Sequence, residues 1–218
     1  MSKIQQSARD GLLGASYKSI ANCDQPLCKA CLHGKQHKWP IVSSTLKPIN
    51  SSHLEPGDYI SGDQLESTQP GLIPSFKGSP STSFYHAGTL FVDRVSRLLH
   101  FTPHCSTGAK EAIFAKQQFE LFGSTFIWQI KQYHADNGIF TSKAFCESCW
   151  INHQPIDFCG VDAHHQNGIA ERHIRTIIEH ARMIIIHAMI QWPEIIHVSS
   201  WPYAKQLAID IHNNTPTS

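Results

Sequence analysis

The spacing of apolar residues predicts strands in the middle of the chain. Short apolar or alternating runs favour strands at 59–63, 84–93 and 98–102, and the polar segment 94–97 favours a turn between the last two. A stretch rich in Gly, Pro and Ser, residues 67–83, predicts a loop after the first strand.

A helical spacing of apolar residues follows these strands. A helix predicted over 107–122 has one apolar face, made by Ala112, Ala115, Phe119 and Phe122. An apolar run at 126–130 opens a fourth predicted strand, which ends at Asp136. A helix over about 141–152 and a short strand at 155–158 are predicted next.

The last third of the chain is predicted to be mostly helical. One long helix has an apolar stripe formed by Ala170, Ile174, Ile177, Ile178, Ala181, Ile185 and Ala188. Pro193 is expected to end this helix, and a final helix is predicted over about 194–211. The predicted strands come first along the chain and the helices later, with one alternation between them. This order of elements indicates an α/β or α+β layered domain.

The composition is that of an ordinary globular domain with a small appendage. The chain has 218 residues, of which 41% are hydrophobic, and this is enough to build one core. No stretch approaches the ~20 apolar residues of a membrane helix, so no membrane partner is expected. Seven cysteines, an odd number, fit free thiols or a metal better than a disulfide framework.

Charge is distributed unevenly along the chain. Residues 1–50 contain seven basic and two acidic side chains, a net charge of +5, whereas residues 51–218 contain 11 basic and 15 acidic ones, a net charge of −4. A domain that binds nucleic acid usually has a basic face. Charge alone therefore does not identify the larger part of the chain as a DNA-binding domain.

A Cys/His cluster occupies residues 23–40, ahead of a linker rich in Ser and Pro at 41–57. Cys28 and Cys31 have the spacing of a zinc knuckle. One hypothesis is a small zinc site completed by nearby side chains, and the other is a disordered remnant that binds no zinc. The nearby side chains that could complete a site are Cys23, His33 and His37.

Three acidic residues lie at the ends of predicted elements. Asp63 ends the first strand, Asp136 follows the fourth, and Glu171 opens the long helix. Such positions can converge at one edge of a sheet, where carboxylates repel one another unless cations lie between them. Oxygen ligands suit Mg²⁺ or Mn²⁺, and two such ions can activate a water or a 3′-hydroxyl at a phosphodiester. Taken singly, an aspartate at a strand end is more often a turn or cap residue.

Two sequence motifs surround the second and third of these acids. Asp136 lies in HADNGIFTS and Glu171 in HHQNGIAER, with 34 residues between the two acids. These motifs resemble the D,D(35)E core of copia-type LTR retrotransposon integrases. The similarity covers about residues 23–218, and it is strongest in the segments 56–63, 89–97, 175–183 and 212–217.

The resemblance implies an RNase H-like fold, with a mixed five-stranded sheet flanked by helices. The catalytic core would span 58–218, after a linker at 41–57 and a truncated pre-integrase Cys/His segment at 1–40. The resemblance implies that the catalytic residues, which also bind two Mg²⁺ or Mn²⁺ ions, are Asp63, Asp136 and Glu171.

The resemblance also implies DNA as the partner, in the form of element ends and target, together with homo-oligomers and action in the nucleus. Gln166 and Asn167 would form the approach to the catalytic helix. Arg172 and Arg175 are candidates for phosphate contacts, although a solvated helix face with i,i+4 ion pairs would also explain them. Zn²⁺ in this family is held by two further histidines upstream of the cysteine pair, and this chain has no histidine before His33.

Two functions remain as hypotheses. The first is an integrase core that performs 3′-end processing and strand transfer, and the retention of all three carboxylates favours it. The second is a catalytically inactive, transposon-derived module for nucleic-acid binding or assembly. A one-residue shortening after Gly138, relative to the family's DNGGEF, favours the second, as does the acidic balance of the core. An RNase H or resolvase-type nuclease would share the fold and the metals, but not the other matching segments.

Overall fold

The computed structural model describes residues 3–24, 28–34, 53–74, 81–126, 128–159 and 168–215. The strands in these ranges are β1 (Ile60–Gly71), β2 (Tyr85–Asp93), β3 (Leu99–His104), β4 (Tyr133–Ala135) and β5 (Ile156–Phe158). The α-helices are α1 (Lys3–Arg9), α2 (Lys29–Gly34), α3 (Ala109–Ser124), α4 (Lys143–Ile151), α5 (Gly168–Gln191) and α6 (Trp201–Asn213). Short 3₁₀ helices lie at Ala15–Asn22, Ile139–Thr141 and Val198–Ser200.

The strands form one mixed sheet in the order β3-β2-β1-β4-β5. The pairs β1–β2 and β2–β3 are antiparallel, whereas β1–β4 and β4–β5 are parallel. The connections that lead into β4 and β5 contain α3 and α4, as parallel pairing requires a crossover. The expected α/β architecture, a mixed five-stranded sheet flanked by helices, is confirmed.

Each face of the sheet has its own apolar core. α3 and α4 contribute to one core around Phe91, whose ring stacks on Phe119 at 5.2 Å between centroids and meets Tyr133 edge-on at 5.6 Å. α5 and α6 contribute to the other core, where Leu90 of β2 is buried with Ile177 of α5. Because neighbouring strand residues point to opposite faces, β2 supplies buried side chains to both cores.

The turn between β2 and β3 is tied to the start of β1 by a buried carboxylate. Asp93 Oδ1 accepts a hydrogen bond from the Gly57 amide at 3.0 Å, and Oδ2 accepts two at 2.6 Å from the amide and hydroxyl of Ser96. Arg97 ends the turn with φ 64°, a conformation that side chains other than glycine rarely adopt. The predicted turn at 94–97 is therefore confirmed, and it is held in a fixed position.

Two predicted strands differ from the structure. The first strand is longer than the predicted 59–63, because it continues to Gly71 as a largely solvent-facing arm paired with β2. Asp63 therefore lies inside β1 rather than at its end. The apolar run at 126–130 is outside the sheet, since Phe126 and Trp128 pack on each other at 5.2 Å instead of pairing as a strand.

The ends of the chain also differ from prediction. The final helix begins at Trp201, with Pro202 in its first turn, and not near residue 194. Residues 1–22 carry no strong pattern, yet α1 and a 3₁₀ helix form there and pack on each other. The Gln5 side chain joins them to the next segment by donating to the carbonyl oxygen of Cys23 at 2.6 Å.

The Cys-containing helix α2 packs on α5. Ala30 of α2 is buried, and Gly34 lies so close to Met183 of α5 that a Cβ at Gly34 would overlap that side chain. Small residues one turn apart therefore allow the two helices to approach closely. In the described ranges, no helix is both long and apolar enough to cross a membrane.

Candidate active site

The first two acids lie side by side on neighbouring parallel strands. β1 and β4 pair with Gly62 opposite Ala135, so Asp63 and Asp136 follow at matching positions. Paired strands are about 4.8 Å apart, and residues at equivalent positions share a face of the sheet. The two carboxylates therefore lie on the face that α5 covers, although 72 residues separate the two acids in sequence.

Glu171 reaches the same region from α5. It lies in the first turn of the helix, and it is exposed. An open groove of about 500 Å³ between β1 and α5 is lined by Asp63 and Glu171, and Arg175 also contributes to its wall. A negative side chain near a helix N-terminus is favoured by the helix dipole, so this position suits a carboxylate.

The thiol of Cys159 is influenced by the charges of all three carboxylates. Cys159 is buried directly after β5, with its amide hydrogen-bonded to the Ala135 carbonyl oxygen at 3.1 Å. Burial raises the pKa of the Cys159 thiol, and the negative charges of Asp136, Glu171 and Asp63 raise it further. All three acids therefore lie within electrostatic range of this thiol.

The three carboxylates do not form a preassembled cluster. Among the described residues, no three Asp, Glu, His or Cys side chains are close enough to hold one ion as they stand. Asp63 and Asp136 are half-buried, and the groove beside them is open to solvent. Hard oxygen donors at a solvent-filled edge fit Mg²⁺ or Mn²⁺, which keep several waters when they bind. The donor set therefore fits these ions by chemical type, and the side chains would have to move to hold one ion together.

Backbone amides orient both aspartates. The Gln64 amide donates to Asp63 Oδ1 at 2.8 Å, and the Gly138 amide donates to Asp136 Oδ1 at 3.3 Å. Asn137 fixes the turn between β4 and the following 3₁₀ helix, because its side-chain amide donates to the Cys159 carbonyl oxygen at 2.8 Å. The first two acids are thus positioned before any ligand arrives.

A buried guanidinium is hydrogen-bonded to Ser61 on the strand that carries Asp63. Arg94 Nε donates to Ser61 Oγ at 2.6 Å, and its guanidinium carbon lies 4.1 Å from the centre of the Tyr59 ring. Ser61 precedes Asp63 by two residues and so faces the same side of β1. Burial lowers the pKa of Arg94, and the charges of Tyr59, Cys159 and Asp157 partly oppose that effect. This positive charge lies near an acidic site.

Arg94 and Cys159 were missed by the sequence analysis, as was His134, whose ring nitrogen Nε2 lies 3.6 Å from the Cys159 thiol. Strand alternation gives a rule that would have found His134, since it lies two residues before Asp136 on β4. Cys159 takes the same place after β5 as Asp136 does after β4. Arg94 lies in the matching segment 89–97, but nothing in that segment marks it as part of the site.

The other predicted site residues lie on α5, near α2 or outside the described part of the chain. Arg172 and Arg175 are exposed on α5, and neither forms an ion pair with an acidic side chain in the described part of the chain. Gln166 and Asn167 lie outside the described residues. Cys28 and Cys31 are in contact, since the backbone and thiol of Cys31 lower the pKa of the Cys28 thiol by hydrogen bonding.

Comparison with known proteins identifies the fold. No protein-family model matches the sequence, and no curated protein matches it. A chain of the simian T-cell lymphotropic virus intasome, solved in complex with PP2A regulatory subunit B56 gamma, is 15% identical with a TM-score of 0.56, covering 100% of this chain and 70% of that one. At this identity the likeness shows a shared fold alone.

Two isolated catalytic core domains also match, at lower TM-scores. The HTLV-2 integrase catalytic core domain in complex with magnesium is 18% identical with a TM-score of 0.48, covering 72% of this chain and 86% of that one. The BIV integrase catalytic core domain is 14% identical with a TM-score of 0.49, covering 74% and 87%. The RNase H-like integrase-core fold expected from the sequence is confirmed by the architecture and the intasome match.

Proposed function

We propose that the chain is the catalytic core of a copia-type retrotransposon integrase, a polynucleotidyl transferase of the DDE type. It would remove nucleotides from the 3′ ends of element DNA and then join those ends to target DNA. The observation that carries this proposal is that strand register sets Asp63 beside Asp136 and that Glu171 lines the same groove as Asp63, on a fold shared with a retroviral intasome chain. Acids so far apart in sequence have no evident structural reason to meet at one solvent-open edge.

Asp63, Asp136 and Glu171 would hold two Mg²⁺ or Mn²⁺ ions, with Asp63 contributing to both. When bound, such ions activate a water or a 3′-hydroxyl and stabilise the leaving oxygen. The chain's own contribution is position, because strand pairing and the two amide donors orient the aspartates. Arg175 on the groove wall would contact a phosphate of the bound DNA. Gln166 and Asn167 would shape the approach to Glu171.

The remaining parts of the proposal concern partners and the N-terminal cysteines. The integrase would act on DNA in the nucleus, as a homo-oligomer. Cys28 and Cys31 would provide two thiolates to Zn²⁺, for which their mutual contact is suitable. Zinc binding is tested by measuring the Zn²⁺ content of the purified chain beside that of Cys28→Ser, which should lose the metal if the pair ligates it.

The alternative function is an inactive, transposon-derived module for nucleic-acid binding or assembly. The absence of a preassembled cluster among the described acids is compatible with it, as is the net charge of −4 over residues 51–218. Metal binding separates the two functions, because an inactive module has no need to retain the ions.

The test compares the wild type with Glu171→Gln, and with Glu194→Gln as a control that removes an exposed acid elsewhere. Strand transfer is measured with a labelled duplex that has an exposed 3′-CA end in Mn²⁺, and Mn²⁺ binding is measured separately by electron paramagnetic resonance. We expect product and bound Mn²⁺ in the wild type and control, and loss of both in Glu171→Gln. A folded wild type that binds no Mn²⁺, and that is inactive on disintegration substrates as well, would support the inactive module instead.

A further inference from the structure

Three arginines near the start of α5 face solvent without acidic partners. Arg97, Arg172 and Arg175 are exposed, and within the described ranges none of them forms an ion pair with Asp or Glu. Arg94, in contrast, is buried against Tyr59 and Ser61. In a region whose net charge is negative, unpaired surface arginines in one place indicate a surface that receives negative charge from elsewhere.

Arg97 and Arg172 come from different elements that two histidines bring together. His173, which directly follows Arg172 in α5, is half-buried against the end of α6. The rings of His173 and His212 meet edge-on with centroids 5.4 Å apart, and His212 Nε2 lies 3.3 Å from the Arg97 carbonyl oxygen. These contacts hold the β2–β3 turn against α5 and α6.

A groove opens beside this patch. It has a volume of about 310 Å³ and is lined by the β2–β3 turn, by the end of α6 and by Leu12. Most polar groups in its wall already have partners within the protein. For example, the Asn213 side chain makes two hydrogen bonds to the backbone of Leu99, at 3.0 and 2.9 Å. The guanidinium of Arg97 is the charged group in the wall that remains available for a ligand.

The patch lies next to the proposed catalytic acid. Arg172 directly follows Glu171, about 100° further around the helix, while Arg175 lies one turn on and about 40° away from Glu171. Arg175 lines the groove that contains Asp63, whereas Arg172 is not part of its wall. Both arginines therefore lie on the same side of Glu171 around the helix axis, about 60° apart.

We propose that Arg97 and Arg172 form a phosphate-binding patch that contacts the backbone of a DNA duplex outside the carboxylate groove. The inference rests on the proposed function, since DNA must reach Glu171 for the patch to matter. Arginines bind backbone phosphates without selecting a sequence, so the patch would orient the duplex and leave sequence choice to other contacts. It also gives a physical account of how a core with a net negative charge holds DNA beside three carboxylates.

A structural role for Arg97 is the competing explanation. A cation near the end of α6 interacts favourably with the helix C-terminus and could stabilise the fold without touching DNA. Such a role would change the melting temperature but not the salt dependence of DNA binding. The two explanations therefore predict different measurements.

The test measures binding of a fluorescent 20-base-pair duplex by anisotropy in EDTA, over a range of salt concentrations. The variants are Arg97→Lys, Arg97→Asn, Arg172→Gln and, as a control, Lys110→Gln, which removes an exposed charge from α3 on the opposite face of the sheet. Asn tolerates positive φ, so Arg97→Asn removes the charge without straining the turn. Circular dichroism melting is recorded for each variant.

We expect the slope of log affinity against log salt to fall by about one unit in Arg97→Asn and in Arg172→Gln. Arg97→Lys and Lys110→Gln should keep the wild-type slope. An unchanged slope in both charge-removing variants, or a wild type that shows no salt-dependent binding, would overturn the patch. The assay excludes divalent metal, so its outcome is independent of strand transfer: an inactive chain that binds DNA through these arginines would disprove the proposed function and leave the patch intact.

Discussion

Replacing Lys205 with methionine should stabilise the protein at neutral pH. Lys205 is a buried residue of α6, and its ammonium nitrogen lies 4.1 Å from the centre of the Trp201 ring and 5.5 Å from that of Phe101. The described residues offer it no acidic partner. Burial lowers its pKa from 10.5 to about 8. Methionine fills a similar volume without a charge, so the variant removes only the electrostatic penalty and the cation–π contacts.

The magnitude follows from the pKa difference between the unfolded and folded states. A shift from 10.5 to about 8 corresponds to roughly 3 kcal/mol of destabilisation when the amine is charged in both states. The contact with Trp201 offsets about 1–2 kcal/mol of this. Lys205→Met should therefore raise the free energy of unfolding by about 1–2 kcal/mol at pH 7.

The pH dependence has a definite sign. Between pH 8 and 10.5 the unfolded chain binds a proton at Lys205 that the folded chain has lost, so the wild type gains stability as the pH rises. The advantage of Lys205→Met should thus shrink by about 1 kcal/mol between pH 7 and pH 10, as measured by urea denaturation. Lys110→Met, at an exposed site, is the matched control and should show no such change. A Lys205→Met variant that is less stable than the wild type at pH 7, or an advantage that does not depend on pH, would refute the reasoning.

Three further predictions concern stability. Asp93→Ala should lower the free energy of unfolding by about 3 kcal/mol, because it leaves the amides of Gly57 and Ser96 without their acceptor. A loss below about 1 kcal/mol in urea denaturation would show that Asp93 does not hold the turn to the start of β1. Burial lowers the pKa values of His100 and His104 to about 4. As the pH drops from 6.5 to 4 the unfolded chain binds protons before the folded chain does, so the free energy of unfolding should fall by up to about 3 kcal/mol per histidine. A flat profile of urea midpoints over this pH range would contradict this prediction. Gly88→Ala should destabilise the protein by about 1–3 kcal/mol, seen as a lower melting temperature, because the added Cβ would overlap the Phe101 ring. Phe101→Val removes that ring, so in a double-mutant cycle it should relieve part of the clash.

The sequence predicts most of the sheet, because buried strands leave a clear apolar pattern. β2 and β3 lie within one or two residues of their predicted bounds, and so does β5. β1 was predicted too short because its second half is a polar arm beyond the core, where backbone pairing with β2 holds it and side-chain burial does not. The opposite error occurred at 126–130, where apolar side chains pack among themselves outside the sheet.

The sequence predicted which residue types form the candidate site better than it predicted which residues lie close together. The motifs around Asp136 and Glu171 identified these residues by type, but only the register of β1 against β4 brings Asp63 to the same edge. Cys159 lies in no motif, and the matching segment 89–97 gives no sign that Arg94 belongs to the site, since the positions of both depend on three-dimensional packing. The unpaired arginines could not be recognised from the net charge either, because charge summed over a sequence does not reveal which residues share a surface.

The parallel pairing of β1 with β4 bears on how the chain can evolve. The distance between Asp63 and Asp136 is set by two hydrogen-bonded strands, so insertions anywhere in the long crossover between them would leave the pair unmoved. A deletion after Gly138 would fall beyond Asp136, outside that pair. Glu171 has no such protection, because its place depends on how α5 docks against β1, β2, α2 and α6. In a decaying lineage of such sequences, we therefore expect substitutions at the α5 interface to misplace the third acid before any change in loop length separates the first two.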